Sequence, residues 1–554
     1  MGTKNPLPEY FNPEYFNIGV ACTKPKVNGF SDSQTAIIVD QGEQDSQVTT
    51  YAELASNSNR VANALNKLGL KQQDRVMLWL PNCIEFPVSF FGILKLGAIA
   101  VPSSILLTPE ELNYIAKDSG AKALITNTVL YNKLLSGSTQ LKDIHRSIEY
   151  VILIDTSINE ERDDQDSIDE GHAPKVMHFS HLLNKQASAF TAVKTKADDP
   201  AYLVYTSGTT GYPKGVLHAH RALLGRLPSA YHWFDYQEGS PDLILHSGKF
   251  NWTYVLGTAM MDPLYLGKTV VVYEGPNDAS SWPKLIAKHQ CTIFIGVPTI
   301  YRQIIQKTDF KASDTPSLRH CMCAGEHLSD EMLAAWKRRF KQDIYEAIGM
   351  SECSYYLSQH PSKPIRPGSA GFPQPGHQIY LLDENMQPVE DEAEGMLCIN
   401  LDDPGLFIEY WNLPETTQES RQQGYFLTGD YARRDKDGYI WFHGRRDDII
   451  NSFGFRISPH EIERVIKTHP DIADCVALEE NVDIDKNLVV VCIILKENSN
   501  LEEAALLEFS AMHLAQYKVP KKAYFMNNFP RTANGKIMRK TLKTMEKWPI
   551  IPRN

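Results

Sequence analysis

A chain of 554 residues, 42% of them hydrophobic and 22% charged, holds more apolar material than one core accommodates, so two or more domains are expected. The formal charge of -11 excludes nucleic-acid binding driven by overall charge, while leaving room for a local positive pocket around a small anion. The nine dispersed cysteines include no C-x-x-C, and Cys321 with Cys323 lacks zinc-ligand spacing, which argues against both a disulfide framework and a structural zinc site.

The chain begins with a tandem Pro8-Glu-Tyr-Phe-Asn12 and Pro13-Glu-Tyr-Phe-Asn17, too short for a solenoid and read as an aromatic leader without chemistry. The basic-then-apolar layout of a signal peptide is missing, and the most apolar stretch, 90–107, is broken by Lys95 and Pro102. A cytoplasmic protein without a membrane span is expected.

Thr50 and Glu53 form a capping box, and Leu54, Val61, Leu65 and Leu68 mark one face of a helix that ends near Gly69. Residues 76–80 read as a strand, 83–96 as a helix and 98–101 as a strand. Thr108 and Glu111 cap another helix with Pro109 at its first position, and 123–126 is the next strand. Strands alternating with helices predict a parallel, doubly wound sheet. The acidic run 155–170 reads as a solvated loop.

The apolar run 201–205 leads into Tyr205-Thr-Ser-Gly-Thr-Thr-Gly-Tyr-Pro-Lys-Gly215. The hydroxyls of Thr206, Ser207, Thr209 and Thr210 and the unshielded amides at Gly208 and Gly211 surround one cation, Lys214, which suits a polyphosphate cradle. The spacing is not that of a Walker A loop, and a plain Gly/Thr surface turn is the alternative. His218, His220 and Arg221 are expected to open a helix, with both histidines positional. The 246–254 stretch, rich in polar and aromatic groups, either walls a substrate pocket or holds Trp252 as a core indole.

Residues 292–299 read as a buried strand ending in a turn, and Cys323-Ala-Gly-Glu-His327 follows another strand, the position at which open α/β sheets bind ligands. Tyr345-Glu-Ala-Ile-Gly-Met-Ser-Glu352 ends in a hydroxyl and a carboxylate, suited to a phosphate and a Mg2+ ion. Asp430 follows a short strand-like run and can accept from both hydroxyls of a ribose. Asp435-Lys-Asp-Gly438 is a hairpin turn, and Gly444-Arg-Arg-Asp-Asp448 reads as a linker. A capping box at Ser458–Glu461 and a strand over 488–495 open a second α/β unit. Lys536 sits on an Asn-Gly turn, where a lysine is ordinarily just solvated.

Together, and in this order, these words resemble the adenylate-forming superfamily, which includes acyl-CoA synthetases, adenylation domains and beetle luciferases. The resemblance runs over nearly the whole chain and is strongest to acyl-CoA synthetases. It implies a large N-terminal α/β domain, residues 1–446, of doubly wound sheets plus a β-barrel-like part. A small mobile C-terminal α/β domain, residues 447–554, would complete the fold. The implied reaction joins a carboxylate to ATP as an acyl-adenylate and then passes the acyl group to coenzyme A, with Mg2+ as cofactor.

By the same resemblance Lys536 is catalytic, and Thr206, Ser207, Gly208, Thr209, Thr210, Gly211 and Lys214 hold the phosphates. Glu352 would bind the metal. Gly325, Glu326, His327, Glu346, Ala347, Ile348, Gly349, Met350 and Ser351 would line AMP, with Asp430 on the ribose and Arg445, Asn451 and Arg456 completing that site. His327 stands where relatives often have Pro, and Ser351 where they often have Thr. Asp447 would be the hinge, and Phe453 and Gly454 would meet coenzyme A. Trp252, Tyr254, Val297, Gly325 and Gly349 are the acyl-pocket candidates. Acetate-using relatives close their pocket with a Trp where this chain has Ile348-Gly349, so a medium-chain, alicyclic or aromatic acid is expected. A ligase loading an acyl-carrier protein and a non-catalytic nucleotide sensor stay open as alternatives, as does the choice between monomer and homodimer.

Overall fold

The computed structural model describes residues 13–27, 29–135, 148–155, 174–206, 213–236, 240–325, 328–445, 448, 450–452, 455–483, 486–514, 516–531 and 537–545. Two large mixed sheets build the body. In the first, eight-stranded sheet the strands Tyr150–Leu153, Ala123–Thr126, Arg75–Trp79, Ile99–Pro102 and Pro200–Thr206 run parallel, because each returns through a helix, and Lys214–Ala219 closes the run as an antiparallel neighbour. The second, nine-stranded sheet has at its centre the parallel strands Thr269–Tyr273, Leu243–His246, Ile293–Gly296, His320–Ala324 and Ile344–Ile348.

Two of the three predicted capping boxes form. Thr50 starts the helix Tyr51–Lys67 and Thr108 starts Pro109–Ser119, each threonine hydroxyl accepting from the N3 amide while the N3 glutamate accepts from the cap amide. The helix Pro109–Ser119 stops at Gly120, whose φ of 58° is left-handed. The helices Tyr51–Lys67 and Glu85–Lys95 pack their apolar faces into one core with strands of both sheets, through Leu54, Val61, Phe86, Phe90, Leu78, Ala100, Val39 and Val270. Separate clusters cover the outer faces.

The barrel-like part is an antiparallel five-stranded sheet in which Tyr425–Arg434 pairs with Glu394–Asn400 and with Ile440–Arg445. The C-terminal α/β unit has its own core. The strands Ile472–Asp483, Lys486–Leu495 and Lys522–Phe525 form its sheet, and the helix Pro459–Ile466 packs Ile462 and Ile466 on it. The capping box expected at Ser458–Glu461 is not made by Ser458, because its hydroxyl donates to the carbonyl of His443 instead. The second Pro-Glu-Tyr-Phe-Asn copy is structural: Tyr15 bridges Lys196, and the Asn17 side chain accepts from the amide of Val20 to cap a short helix. The first copy and the acidic stretch 156–173 lie outside the described residues.

Candidate functional site

The phosphate-loop word is the tip of a β-hairpin. The strands Pro200–Thr206 and Lys214–Ala219 pair antiparallel with Thr206 opposite Lys214, and residues 207–212, which carry Ser207, Gly208, Thr209, Thr210 and Gly211, lie outside the described residues. The helix expected from His218 starts later, at Ala222 with Arg221 as its N-cap, and His218 itself belongs to the strand Lys214–Ala219. Its residues alternate between two packed faces, and Val216, Leu217 and His218 are all buried. Gly215 allows a close approach, since a Cβ there would stand 2.9 Å from that of Trp411.

His218 stacks on Tyr202 with ring centres 4.7 Å apart, and its Nε2 donates to the carbonyl of Ser351 at 2.7 Å. Burial pushes its pKa down to about 3, so the ring is neutral at physiological pH. His220 accepts from the amide of Ile18 through Nδ1 at 3.2 Å and is likewise held near 3 by burial. Both histidines position backbone.

The hairpin meets the Ser-Glu word through a residue without a motif of its own. The strand Glu409–Tyr410 pairs with Lys214–Ala219, which sets the Lys214 ammonium 5.5 Å from the centre of the Tyr410 ring. The Tyr410 hydroxyl donates to Glu352 Oε1 at 2.7 Å, and the Phe407 amide donates to the Glu352 carbonyl at 2.8 Å. Sequence reasoning missed Tyr410 because only a long-range strand pairing brings it here. Behind Glu352, Cys353 Sγ lies 3.9 Å from His377 Nδ1, which is 3.1 Å from each oxygen of Asp403. The amides of Gln378 and Gly405 also donate to Asp403, so this buried trio reads as a hydrogen-bonded brace.

At the carboxyl ends of the nine-stranded sheet lie Gly325 and Gly349. Gly325 has φ of 103°, a conformation that favours glycine, and a Cβ on it would reach the Trp252 ring at 3.7 Å. At Gly349 a Cβ would come within 2.5 Å of the Tyr355 amide nitrogen. Glu346 Oε1 accepts from the Leu328 amide at 2.8 Å and ties Leu328 to the strand Ile344–Ile348. Ala347 and Ile348 complete that strand, and the Met350 amide donates to the Cys353 carbonyl. Trp252, Tyr254 and His246 form a chain of edge-to-face rings at 5.3 and 5.2 Å. Val297 packs with a different cluster, around Phe294 and Tyr301, rather than with Tyr254. Glu326 and His327 lie outside the described residues.

Asp430 sits in the middle of the ten-residue strand Tyr425–Arg434, longer than the run read from sequence, and the register pairs it with Arg445. Asn451 and Arg456 are partners in the hairpin Ile450–Ser452 with Phe455–Ile457. Asp447, Phe453, Gly454 and Lys536 lie outside the described residues, and the described Arg531 and Ile537 form an antiparallel β-bridge. Three residues beyond Lys536, Arg539 pairs with buried Glu463 at 2.6 Å.

A cleft of about 350 Å³, bounded by Asn57, Arg60, Glu85, Val88, Phe179 and Leu183, lies among helices and carries none of these groups. No helix among the described residues is long and apolar enough to cross a membrane.

The profile of the AMP-binding enzyme family matches residues 26–411, and that of the AMP-binding enzyme C-terminal domain matches 461–536. The 3-hydroxybenzoate–CoA/4-hydroxybenzoate–CoA ligase of Thauera aromatica is 31% identical over 90% of this chain and 92% of its own length. The human mitochondrial acyl-coenzyme A synthetase ACSM3 is 28% identical over 98% of this chain and 91% of its own. The crystal structure of the anthranilate CoA ligase AuaEII in complex with anthranoyl-AMP superposes with a TM-score of 0.83 at 29% identity, covering 97% of this chain and 98% of that one. With both family profiles, full-length relatives and the hairpin–Glu352 geometry in agreement, the chain belongs to the AMP-binding enzyme family within the adenylate-forming superfamily, as an AMP-forming acyl-CoA synthetase.

Proposed function

We propose that this synthetase activates an aromatic or medium-chain carboxylic acid, and that Lys214, Glu352, Asp430 and Lys536 carry the nucleotide chemistry. The observation that carries the assignment is the Lys214–Tyr410–Glu352 arrangement, which brings a phosphate-binding cation and a metal-binding carboxylate to one spot from three distant segments. In the first half-reaction a carboxylate oxygen attacks the α-phosphorus of ATP and the bond to pyrophosphate breaks. In the second, the thiol of coenzyme A attacks the acyl carbon, gives up its proton and releases AMP.

Both partners in the first step are anions, so the residues act chiefly by neutralising and positioning charge. Lys214 and the 206–211 hydroxyls and amides would hold the β- and γ-phosphates, Lys536 would bridge the carboxylate and the α-phosphate, and Asp430 would accept from ribose hydroxyls. Glu352 suits Mg2+: Tyr410 uses Oε1, while Oε2 has no hydrogen-bond partner among the described residues and is a hard oxygen donor. Mg2+ bound there would offset phosphate charge. Gly325, Ser351 and the backbone of 346–350 would line AMP, and Arg445, Asn451 and Arg456 would approach it from the C-terminal side. By the family resemblance Glu326 and His327 would also contribute to AMP binding.

The domain boundary near 447 and a hinge at Asp447 are part of this reading, with Phe453 and Gly454 presented to coenzyme A after the first step. Asp447→Pro would then spare pyrophosphate release and impair thioester formation, and an equal loss of both would sink the hinge. All nine cysteines are free and buried, which supports a reducing, cytoplasmic setting.

The deciding experiment measures pyrophosphate release with ATP, Mg2+ and a panel of acids from acetate through octanoate, cyclohexanecarboxylate and benzoate, with and without coenzyme A. Acid-dependent release, with thioester and AMP only when coenzyme A is added, supports the reading. Acetate as the preferred acid would refute the substrate assignment.

A further inference from the structure

His246 ends the strand Leu243–His246, level with Ile295 of the next strand. Alternation along the strand puts it on the face of Ile244, the face on which Ala324, Ala347, Trp233 and Tyr254 pack. Ala324 leads directly into Gly325, Ala347 lies two residues before Gly349, and Trp252 leans on Gly325. This is the wall between the nucleotide turns and the interior, where the acyl group of the proposed reaction belongs.

Two polar atoms on that wall are left without partners among the described residues. The Gly248 amide donates to His246 Nδ1 at 2.8 Å, so Nδ1 carries the lone pair. Burial keeps the imidazole neutral, with its pKa near 3, which leaves the proton on Nε2. His246 is completely buried, yet its Nε2 has no hydrogen-bond partner among the described residues. The Tyr254 hydroxyl, whose ring stands 5.2 Å from the imidazole, is also buried and unpaired among them. An N–H buried without an acceptor is costly enough that native structures rarely keep one without a reason. One of these groups ends a strand and the other lies in the helix Thr253–Leu256, and their neighbouring rings form a polar spot in this wall.

We propose that His246 and Tyr254 close the far end of the acyl site, and that the acid this enzyme takes carries an oxygen substituent, a hydroxyl or carbonyl, remote from its carboxylate. The inference rests on the ligase reading above and narrows its substrate class. The substituent oxygen accepts from Nε2–H, and the tyrosine hydroxyl, able to donate or accept, completes the pair with either group. A plain hydrocarbon acid leaves both unpaired and is bound less well.

The test compares thioester formation by the full-length enzyme with 3- and 4-hydroxybenzoate against benzoate, and with 8-hydroxy- and 8-oxo-octanoate against octanoate. At least one oxygenated acid should exceed its plain partner about tenfold or more in kcat/KM. Tyr254→Phe, which removes one oxygen and keeps the ring, should lower that ratio several-fold without moving KM for ATP. His246→Gln, which retains an N–H donor, should keep more of the ratio than His246→Leu. Plain acids used as well as every oxygenated partner, by an enzyme that does form thioesters, would overturn the inference and leave the ligase reading standing. A ratio unchanged in Tyr254→Phe and His246→Leu would overturn the assignment to these residues. Failure to form pyrophosphate with any acid would remove the ligase reading and this inference with it.

Discussion

Arg539→Met should loosen the C-terminal unit and misplace the turn that carries Lys536. Arg539 pairs with Glu463 at 2.6 Å and also donates to the Ala477 carbonyl at 3.1 Å, while Glu463 accepts from the Ala477 amide at 2.8 Å. The helix Pro459–Ile466, the edge strand Ile472–Asp483 and the segment after Lys536 thus meet at one buried carboxylate. Burial alone would raise its pKa, yet Arg539, with help from His460 and Lys467, holds it at about 2 against an ordinary 4.5. At about 1.4 kcal/mol per tenfold in proton affinity, the displacement corresponds to roughly 3 kcal/mol. Because the folded pKa is depressed, that stability is present above pH 4.5 and is lost as pH falls toward 2. Removing the arginine strands the carboxylate, a change that typically costs 3–5 kcal/mol. Amide exchange over Ile472–Asp483 and Lys486–Leu495 at pH 7 should accelerate about 100-fold, with pyrophosphate release falling in parallel. The double variant Arg539→Met/Glu463→Gln should recover most of the protection, because no charge is left unpaired. Exchange within threefold of wild type in Arg539→Met would refute the argument.

Tyr410→Phe keeps the ring beside Lys214 but takes one hydrogen bond from Glu352, so the Mg2+ concentration giving half-maximal pyrophosphate release should rise several-fold. An unchanged Mg2+ dependence would separate Tyr410 from the metal carboxylate. Gly349→Ala would push a methyl to within 2.5 Å of the Tyr355 amide, and kcat/KM for the acid should fall by tenfold or more with a smaller change in thermal stability. Lys95 is buried among Ser58, Asn59 and the Ala55 carbonyl, and burial lowers its pKa from 10.5 to about 7, with Lys24 adding a smaller push. Folding therefore expels its proton, and this penalty is full below pH 7 and fades as pH rises toward 10.5. Denaturant unfolding should give a stability difference, wild type minus Lys95→Met, that increases across that window by as much as roughly 4 kcal/mol.

The doubly wound pattern was legible because its signals are local. Thr50 with Glu53 and Thr108 with Glu111 are capping boxes whose partners lie three residues apart, and both form as read. The strand Ala123–Thr126 has the bounds expected of it, since an apolar run between a glycine turn and a polar cap leaves little choice. Local signals misled where the neighbour is remote. The helix expected from His218 starts only at Ala222, because His218 belongs to a strand whose Val216 and Leu217 pair with Tyr410 and Glu409, almost two hundred residues further along the chain. Ser458 had the right spacing for a capping box, but its hydroxyl bonds to a carbonyl of the strand Ile440–Arg445.

The same distinction explains which parts of the site could be anticipated. Glycine-rich words and charged turns advertise themselves because the backbone conformation they need is unusual, as at Gly325 with its φ of 103°. Tyr410 has no such mark: it is an ordinary aromatic on a two-residue strand. Its importance comes from register alone. Pairing Tyr410 with Val216 fixes its hydroxyl against Glu352 and its ring against Lys214, and a slip of one residue would turn the side chain to the opposite face. Gly215, which admits Trp411 at close range, and the bond from the Trp411 amide to the Gly215 carbonyl at 2.8 Å hold that register. The chemistry proposed for this site would therefore depend on a short strand whose own sequence says nothing about catalysis, and whose placement is decided by the packing of its neighbours.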